Sequence, residues 1–158
     1  MTEHADGPLE PDALRGARPV LRGDRSGQPA GPTRLNCVFC AIISGQAPAT
    51  ILREWDDALA IKPRGGVNDG HTLVIPRTHV ANAIEHPDVT ADTVRRAAQY
   101  AAEIGADLNL ITSVGPDASQ TVFHLHWHVV PRAKADGLPL PWTPQHAART
   151  AAQNGATS

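Results

Sequence analysis

The chain has 158 residues, of which 41% are hydrophobic, and this suits one domain with a modest core and flanking tails. The formal net charge of -2 argues against general nucleic-acid binding, because proteins of that class usually carry a basic excess. No apolar run approaches the roughly 18 residues that span a bilayer, and no signal peptide is readable. The only cysteines are Cys37 and Cys40, so a reduced, cytoplasmic setting is expected.

Residues 1–34 are predicted to be a disordered extension. They include five Gly, five Pro and five Arg, with five Asp or Glu. Such a segment buries too little apolar surface to offset the entropy cost of ordering it. The folded domain is predicted over 35–142, and an Ala-rich tail over 143–158. Trp142 is a candidate to cap the site or a dimer seam, or to fill the core.

The predicted elements alternate short apolar segments with turn residues. A short helix is predicted over 37–43, ended by a glycine. Five segments are predicted to be strands: 50–55, 58–62, 71–75, 109–114 and 120–131. One long amphipathic helix is predicted over 88–107, capped by Thr90 or Asp88. These elements indicate an α+β domain with a five-stranded antiparallel sheet that carries the long helix on one face.

Three of the eight histidines, His124, His126 and His128, stand at alternate positions in the last predicted strand. Side chains along a strand alternate between two faces, so the three imidazoles are expected on one face. The hydrophobic residues between them are expected on the other. Histidines in such a row usually indicate acid–base, nucleophilic or metal chemistry.

The histidine row allows two mechanisms. In the first, all three imidazoles bind one zinc ion that keeps an open position for a hydrolytic water. In the second, neutral His126 attacks a phosphorus centre and forms a covalent phosphoramidate. A flanking histidine or a backbone carbonyl would then hold the tautomer of His126.

The loop before the row carries hydrogen-bond donors. Gly115, Ser119, Gln120 and Thr121 offer backbone amides, hydroxyls and a side-chain amide. This donor set is expected around phosphate oxygens that gain charge in a transition state. The alternative is that the glycine and the residues after it are ordinary turn chemistry.

Cys37 and Cys40 form a Cys-x-x-Cys pair, which suits metal binding or redox chemistry. The βαβ pattern that usually accompanies a redox pair is absent. A closed, structural Cys₂His₂ zinc site needs two more ligands, and His79 and His124 are available, although His79 also suits a surface position. Three other histidines lie in a tail or at element ends and are assigned no role: His4, His86 and His146.

The histidine row resembles the motif of the histidine triad (HIT) superfamily, His-φ-His-φ-His-φ-φ with φ hydrophobic. It reads here His124-Leu-His126-Trp-His128-Val-Val130. Three further stretches are similar to the family's N-terminal opening, its central strand and turn, and the lead-in to the triad: 37–45, 70–79 and 120–124. The resemblance covers about residues 36–132, in order and at fitting separations.

This resemblance implies a HIT-like fold and a hydrolase or transferase that acts at the α-phosphate of a nucleotide. It implies a nucleotidyl-histidine intermediate on His126, which His128 supports. Gln120 and Thr121 match positions that contact the phosphate and the leaving group. The remaining candidates for substrate binding are His71, Ser113, Gly115 and Ser119.

The resemblance also implies a metal and a partner. In zinc-bearing bacterial-type members the zinc ligands match Cys37, Cys40, His79 and His124, so a structural zinc ion is expected. A homodimer is implied, with the two sheets joined into one. The implied substrate is a purine nucleotide, as a nucleoside phosphoramidate or a dinucleoside polyphosphate.

Two departures from the family pattern bear on the substrate. Ser113 stands where many members of the purine-nucleotide phosphoramidase branch have Asn. Pro63, flanked by Lys62 and Arg64, stands where they have an Asp that contacts the ribose. These cations suit a longer phosphate chain, or else they are solvated loop residues. The departures also motivate an alternative function, a nucleotide-binding protein with weak catalysis.

Overall fold

The computed structural model describes residues 36–140. The predicted extension over 1–34, Trp142 and the predicted tail over 143–158 lie outside the described residues, as do His4 and His146. None of the helices in the described range has the length and apolar content that crossing a membrane requires.

Two helices and five strands build the domain. The helices are α1 (Val38–Ile43) and α2 (Pro87–Ile104), and the strands are β1 (Ile51–Glu54), β2 (Ala58–Ile61), β3 (Thr72–Pro76), β4 (Leu108–Ile111) and β5 (Trp127–Pro131). The strands form one sheet in the order β1-β2-β3-β5-β4, and every neighbouring pair is antiparallel. The predicted α+β class, the antiparallel sheet and the two helices are confirmed.

Strands β2 and β3 are buried along their whole length, which explains why all their residues except Thr72 are apolar. On one face, α2 packs through Ala97 against small and β-branched side chains of the central strands, among them Ala60, Val74 and Val129. On the other face, α1 contributes Phe39 to a cluster with neighbouring strand residues such as Leu73. The histidine chemistry described below lies on the α1 face.

The start of α2 differs from the prediction. Its N-cap is His86, whose ring nitrogen accepts the Val89 N–H at 3.5 Å, and neither Thr90 nor Asp88 caps it. Pro87 explains the shift, because its fixed φ suits the first helical position and starts the helix earlier. The helix also ends before the predicted 107, since Gly105 adopts the left-handed conformation (φ 64°) and closes the last turn.

The strand predicted over 120–131 is wrong for its first seven residues. Only β5, from Trp127, joins the sheet, and the connection from β4 is a long loop with one 3-10 turn at Pro116–Ala118. On the side of β4, the strand ends at Ile111, which pairs with His128, so the residues before Trp127 have no partner in β4. The Leu125 N–H instead donates to the Val80 carbonyl at 2.7 Å.

Candidate active site and metal centre

The start of α1 brings the two cysteines together. Cys37 is the N-cap, its carbonyl accepts the Ala41 N–H at 3.0 Å, and its Sγ accepts the Cys40 N–H at 3.5 Å. A residue at the N-cap and one in the first turn lie one above the other, so both thiols face the same side of the helix. Cys37 is buried and Cys40 is partly buried.

Two histidines complete a compact group with these cysteines. His79 lies in the turn after β3, and His124 lies before β5. The Nδ1 atoms of the two rings are 3.2 Å apart. Cys40 Sγ is 3.2 Å from Nδ1 of His79 and 3.6 Å from Nδ1 of His124, and Cys37 Sγ is 3.4 Å from Nδ1 of His124. All four ligand atoms lie within 4.8 Å of one another.

These distances fit a zinc ion. Tetrahedral zinc has bonds of about 2.0 Å to nitrogen and about 2.3 Å to sulfur, so its ligand atoms stand roughly 3.3 to 3.8 Å apart. The separations of 3.2 to 3.6 Å match that shell, and two thiolates with two imidazoles are a zinc-binding donor set. We refer to Cys37, Cys40, His79 and His124 as the Cys₂His₂ cluster.

The second nitrogen of His124 is held by the backbone. Its Nε2 lies 2.9 Å from the Pro76 carbonyl, so this nitrogen carries the proton and donates it. Nδ1 is thereby left with a lone pair that faces the cluster. Such outer hydrogen bonds fix the tautomer and the orientation of metal-ligating histidines. The ring is fully buried, at 0% exposure.

His126 is orientated by the backbone of His124. Its Nδ1 lies 2.8 Å from the His124 carbonyl, so Nδ1 is the protonated donor and Nε2 keeps its lone pair. Burial lowers the pKa of His126, against the opposing effect of the hydrogen bond to the carbonyl, which raises it. The ring is therefore neutral at pH 7, as a nucleophilic imidazole must be.

A second hydrogen-bonded pair stands beside His126. The backbone N–H of Val67 donates to Nδ1 of His71 at 3.1 Å, which leaves the proton of neutral His71 on Nε2. That nitrogen lies 2.9 Å from Nδ1 of His128 and donates to it. The proton of neutral His128 is consequently on Nε2, and one backbone amide determines the tautomers of both rings.

Both rings of this pair are neutral at pH 7. Burial lowers the pKa of His71. Burial, together with a smaller electrostatic repulsion from His126 and His71, lowers the pKa of His128 to about 4. The centres of the His126 and His128 rings are 5.0 Å apart. We refer to His71, His126 and His128 as the histidine chain.

The histidine chain lines a cavity of about 750 Å³. Its apolar wall comes from α1 and the sheet, and includes Phe39, Ile42 and Leu73. Thr121 also lines it, together with Lys62, Arg64 and other residues of the segment between β2 and β3. A cavity of this size holds a ligand as large as a nucleotide.

Glycines let the segment between β2 and β3 approach His71. Gly70 has φ of 90°, and a Cβ placed there would meet Pro131 Cγ at 3.1 Å. A Cβ on Gly66 would stand 3.4 Å from the ring nitrogen Nδ1 of His71. A side chain at Gly70 would therefore be strained by the positive φ and would press on Pro131, and one at Gly66 would lie in close contact with Pro63 and His71.

In the loop that precedes the histidine row, expected phosphate donors form hydrogen bonds to other groups of the protein. Gln120 is buried, its amide donates to the carbonyls of Ala81 (2.7 Å) and Val122 (3.0 Å), and its Oε1 accepts the Gly115 N–H at 2.9 Å. Ser119 is exposed, and its hydroxyl donates to the Ala118 carbonyl. Among the residues predicted to bind or act on substrate, those that line the cavity are His71, Thr121, His126 and His128, and those that do not are Ser113, Gly115, Ser119 and Gln120.

The three histidines of the motif do not form a common metal site. His124 contributes its Nδ1 to the Cys₂His₂ cluster, whereas His126 and His128 use Nδ1 in hydrogen bonds to a carbonyl and to His71. Within residues 36–140, the grouping that could hold a metal ion is the Cys₂His₂ cluster. The hypothesis of a three-histidine zinc site is wrong for this arrangement.

Some contributors to the site carry no signal in the sequence. The carbonyls of Pro76 and His124 and the amide of Val67 act through the backbone, which no side-chain pattern reveals. Phe39 is different, because it lies between the two cysteines in sequence. Its ring stands edge-on to His124 and His126, with ring centres 5.7 and 5.4 Å away, and it separates the cluster from the cavity. Its position inside the Cys-x-x-Cys pair is the feature of the sequence that could have identified it as part of the site.

Comparison with protein families matches residues 44–135 to the family described as HIT domain. The match contains the histidines of both the Cys₂His₂ cluster and the histidine chain, and it begins after the cysteine pair. It covers more than half of the chain.

Individual relatives agree with the family match. "Protein hit" of Bacillus subtilis is 39% identical over 114 residues, which are 68% of this chain and 79% of that protein. "Adenylylsulfatase HINT3" of Arabidopsis thaliana is 36% identical over 109 residues, 65% of this chain and 55% of that protein. Among solved structures, a "ZN-bound histidine triad family protein" from Mycobacterium smegmatis has a TM-score of 0.61 and 39% identity, and covers 68% of this chain and 83% of that one.

Proposed function

The chain belongs to the HIT domain family, and from this premise we propose that it cleaves a nucleotide at its α-phosphate, with His126 as the nucleophile. The substrate is a nucleoside phosphoramidate or a dinucleoside polyphosphate. The adenylylsulfatase named among the relatives supports hydrolysis of a nucleotide by this chain. The same proposal includes transfer of the nucleotidyl group to acceptors other than water, with the leaving group that the substrate carries.

The observation that carries the proposal is the tautomer of His126. Its proton is on Nδ1 in the bond of 2.8 Å to the His124 carbonyl, so the lone pair of Nε2 is available. An imidazole that attacks phosphorus needs that lone pair, and the ring becomes positively charged as the bond forms. The carbonyl oxygen stabilises this charge through the hydrogen bond that it already accepts.

The reaction has two displacements. In the first, Nε2 of His126 forms a bond to the α-phosphorus, and the bond from phosphorus to the leaving group breaks with its electron pair on the leaving group. In the second, a water oxygen attacks the phosphorus, the P–Nε2 bond breaks, and the electron pair returns to His126. The proton that water loses is balanced by the proton that the leaving group takes up, and the nucleoside monophosphate is released.

His128 serves the same phosphate from beside His126. Because His71 donates to its Nδ1, neutral His128 presents an Nε2–H, which suits donation to a phosphate oxygen or to the leaving group. Thr121, on the cavity lining, is a second candidate donor. The apolar wall formed by residues such as Phe39 and Ile42 suits a purine base.

Zinc has a structural role in this proposal. All four ligand positions of the cluster are protein side chains, and closed zinc sites of that kind stabilise folds and leave no open position for substrate. When bound, the ion would hold the start of α1 against the turns that carry His79 and His124. The chain's own histidines carry out the chemistry.

The assembly and setting belong to the proposal as well. We expect a homodimer in a cytoplasmic setting, with no general affinity for nucleic acid. Strand β4 is at one edge of the sheet, and Ile111 on it is 38% exposed, which favours association there.

One observation favours a second candidate, a nucleotide-binding protein with weak catalysis. Gln120 and Gly115 bond to each other and do not line the cavity, so two expected phosphate donors are directed elsewhere. Turnover decides between the candidates. A chain of the second kind would bind nucleotides and accumulate no hydrolysed product.

The test is to trap the covalent intermediate. The protein is mixed with an adenosine phosphoramidate radiolabelled in the α-phosphate and quenched in base, in which phosphoramidates survive. We expect label on the wild-type protein and none on His126→Asn. We expect kcat to fall at least about 1000-fold in that variant, the scale on which removal of a nucleophile acts.

His126→Asn is a matched variant, because the Asn amide can still donate to the His124 carbonyl while it offers no nucleophilic lone pair. His86→Asn, which changes the exposed cap of α2, is the control and should keep the label. Equal turnover by His126→Asn and the wild type would overturn the mechanism.

A further inference from the structure

We propose that Lys62 and Arg64 form a second anion subsite, which binds a phosphate group that the substrate carries in addition to its α-phosphate. This inference rests on the proposed function, since it specifies the substrate of the same cavity. It makes a mononucleotide ester or amidate with no other phosphate a poorer ligand than a nucleotide with two or more phosphates.

The distribution of ion pairs singles out these two cations. Residues 36–140 contain eight lysines and arginines. Five of them form ion pairs with a carboxylate: Arg53, Arg77, Arg95, Arg96 and Arg132. Over the same residues Lys62, Arg64 and Lys134 have no such partner, and the first two of these line the cavity.

The cavity offers nothing else to neutralise them. None of its lining residues, all within the described range, is Asp or Glu. Its three histidines are held in hydrogen bonds to the backbone or to one another. The charged groups of the lining are thus the two cations, and a polyanionic ligand is the complement of such a site.

Their position relative to the reacting group follows from the sheet. Ile61 pairs with Leu73, and Leu73 pairs with His128, so the three residues form one row across β2, β3 and β5. Neighbouring strands are about 4.8 Å apart, which puts Ile61 about 10 Å from His128. Lys62 follows Ile61 directly. An α-phosphate at the histidine chain therefore leaves the cations within reach of a different part of the same ligand.

Hydrogen bonds anchor both the backbone of Lys62 and the side chain of Arg64. The Lys62 N–H donates to the Thr50 carbonyl at 2.9 Å, and Nη2 of Arg64 donates to the Pro48 carbonyl at 3.3 Å. Both side chains are exposed, so a ligand phosphate would meet them without displacing a buried partner. A guanidinium retains further N–H groups for phosphate after one bond to a carbonyl.

The second phosphate has two chemical sources. It belongs either to a phosphate chain that continues from the α-phosphate or to the ribose, as a 2′- or 3′-phosphate. In other nucleotide-binding sites, a carboxylate binds the ribose hydroxyl, and an arginine nearby accepts a phosphorylated ribose instead. The experiment includes one ligand of each kind.

The experiment measures equilibrium binding by titration calorimetry, without divalent cations. The ligands are AMP, adenosine 3′,5′-bisphosphate and the α,β-methylene analogue of ATP, whose α–β bridge resists cleavage. The proteins are the wild type, Lys62→Gln/Arg64→Gln, and the control Lys134→Gln, which removes an exposed, unpaired cation outside the cavity.

We expect the wild type and the control to bind at least one multiply phosphorylated ligand about tenfold more tightly than AMP, as two partly exposed charge-assisted contacts provide. The double variant should lose this preference while its affinity for AMP changes less than about twofold, and added salt should weaken the preference in the wild type. A preference for the ATP analogue assigns the phosphate chain, and one for the bisphosphate assigns the ribose.

Two results overturn the subsite: equal affinity of the wild type for all three ligands, or a preference that the double variant retains. Both are independent of catalysis. A protein that forms the labelled His126 intermediate but shows no preference retains the proposed function and loses the subsite. A protein with the preference and no intermediate retains the subsite and loses the reaction.

Discussion

The Cys₂His₂ cluster and the histidine chain use the same imidazole group in opposite ways. In the cluster, His79 and His124 direct the same ring nitrogen, Nδ1, at each other from 3.2 Å, with two thiols around them. In the histidine chain, His71 and His128 join unlike nitrogens at 2.9 Å, one as donor and the other as acceptor. Ring nitrogens that point at one another indicate a cation between them. A ring that donates a hydrogen bond to the next ring indicates that the position of each proton is fixed.

The two groups meet in one residue. The ring of His124 belongs to the cluster, while its backbone carbonyl accepts a hydrogen bond from Nδ1 of His126. The two roles are separable in experiments, because side chains can be changed in one group while the other keeps its atoms. Their coupling is also measurable, since a shift of the His124 backbone would disturb the hydrogen bond that orientates His126.

The largest expected effect comes from removing the thiols. Cys37→Ser/Cys40→Ser should contain no tightly held zinc by elemental analysis, where the wild type holds one ion per chain. Its melting temperature should fall by about 10 °C or more, because a lost structural metal removes several kcal/mol of folding free energy. Activity should fall with it, as the His124 carbonyl loses its anchor.

The matched control for that variant is His128→Ala, which removes a histidine from the other group. It should keep the zinc ion and most of the melting temperature while activity is lost. Zinc retained at full stoichiometry by the cysteine double variant would show that the metal is held by other residues.

A smaller effect is expected from His71→Ala. The change removes the donor that sets the tautomer of His128, and we expect kcat/KM to fall about 10- to 100-fold, as for other orientating hydrogen bonds. Zinc content should not change. The measurement is steady-state kinetics on a nucleoside phosphoramidate, with elemental analysis of the same preparation.

His71→Gln is the conservative comparison for that prediction, because its amide can both accept from Val67 and donate to His128. It should recover part of the activity that His71→Ala loses. If both variants match the wild type in kcat/KM, the pair of rings does not act on the substrate.

The smallest effect is a pH dependence. His126 must be neutral to attack, and burial lowers its pKa below the usual 6.5. The value of kcat/KM should therefore stay level as the pH falls from 7.5 to about 6.5, and decline only in more acidic solution. This histidine is protonated more readily in the unfolded chain than in the folded one. The free energy of unfolding should therefore also decline as the pH falls below 6.5.

A pH–rate profile of kcat/KM measures this limb. An acid limb at or above 6.5 in the wild type would contradict the burial effect.

The chemical kinds of residue in the site were readable from the sequence. Alternating histidines among hydrophobic residues predicted a reactive row, and the Cys-x-x-Cys pair indicated metal binding or redox chemistry. The five strands and two helices also followed from turn residues and periodicity, and they are confirmed. The boundaries were predicted less accurately, since Pro87 starts α2 one residue before the predicted span and the last strand has less than half its predicted length.

What the histidines face was decided by the tertiary structure. A uniform strand would place His124, His126 and His128 alike, but β5 begins only at Trp127, and His124 lies before it in the group with the two cysteines. The proton positions were also decided there, because the amide of Val67 and the carbonyls of Pro76 and His124 select them. Backbone groups are the same in every residue, so the sequence determines the kinds of chemistry available, and the fold alone determines where each proton and lone pair points.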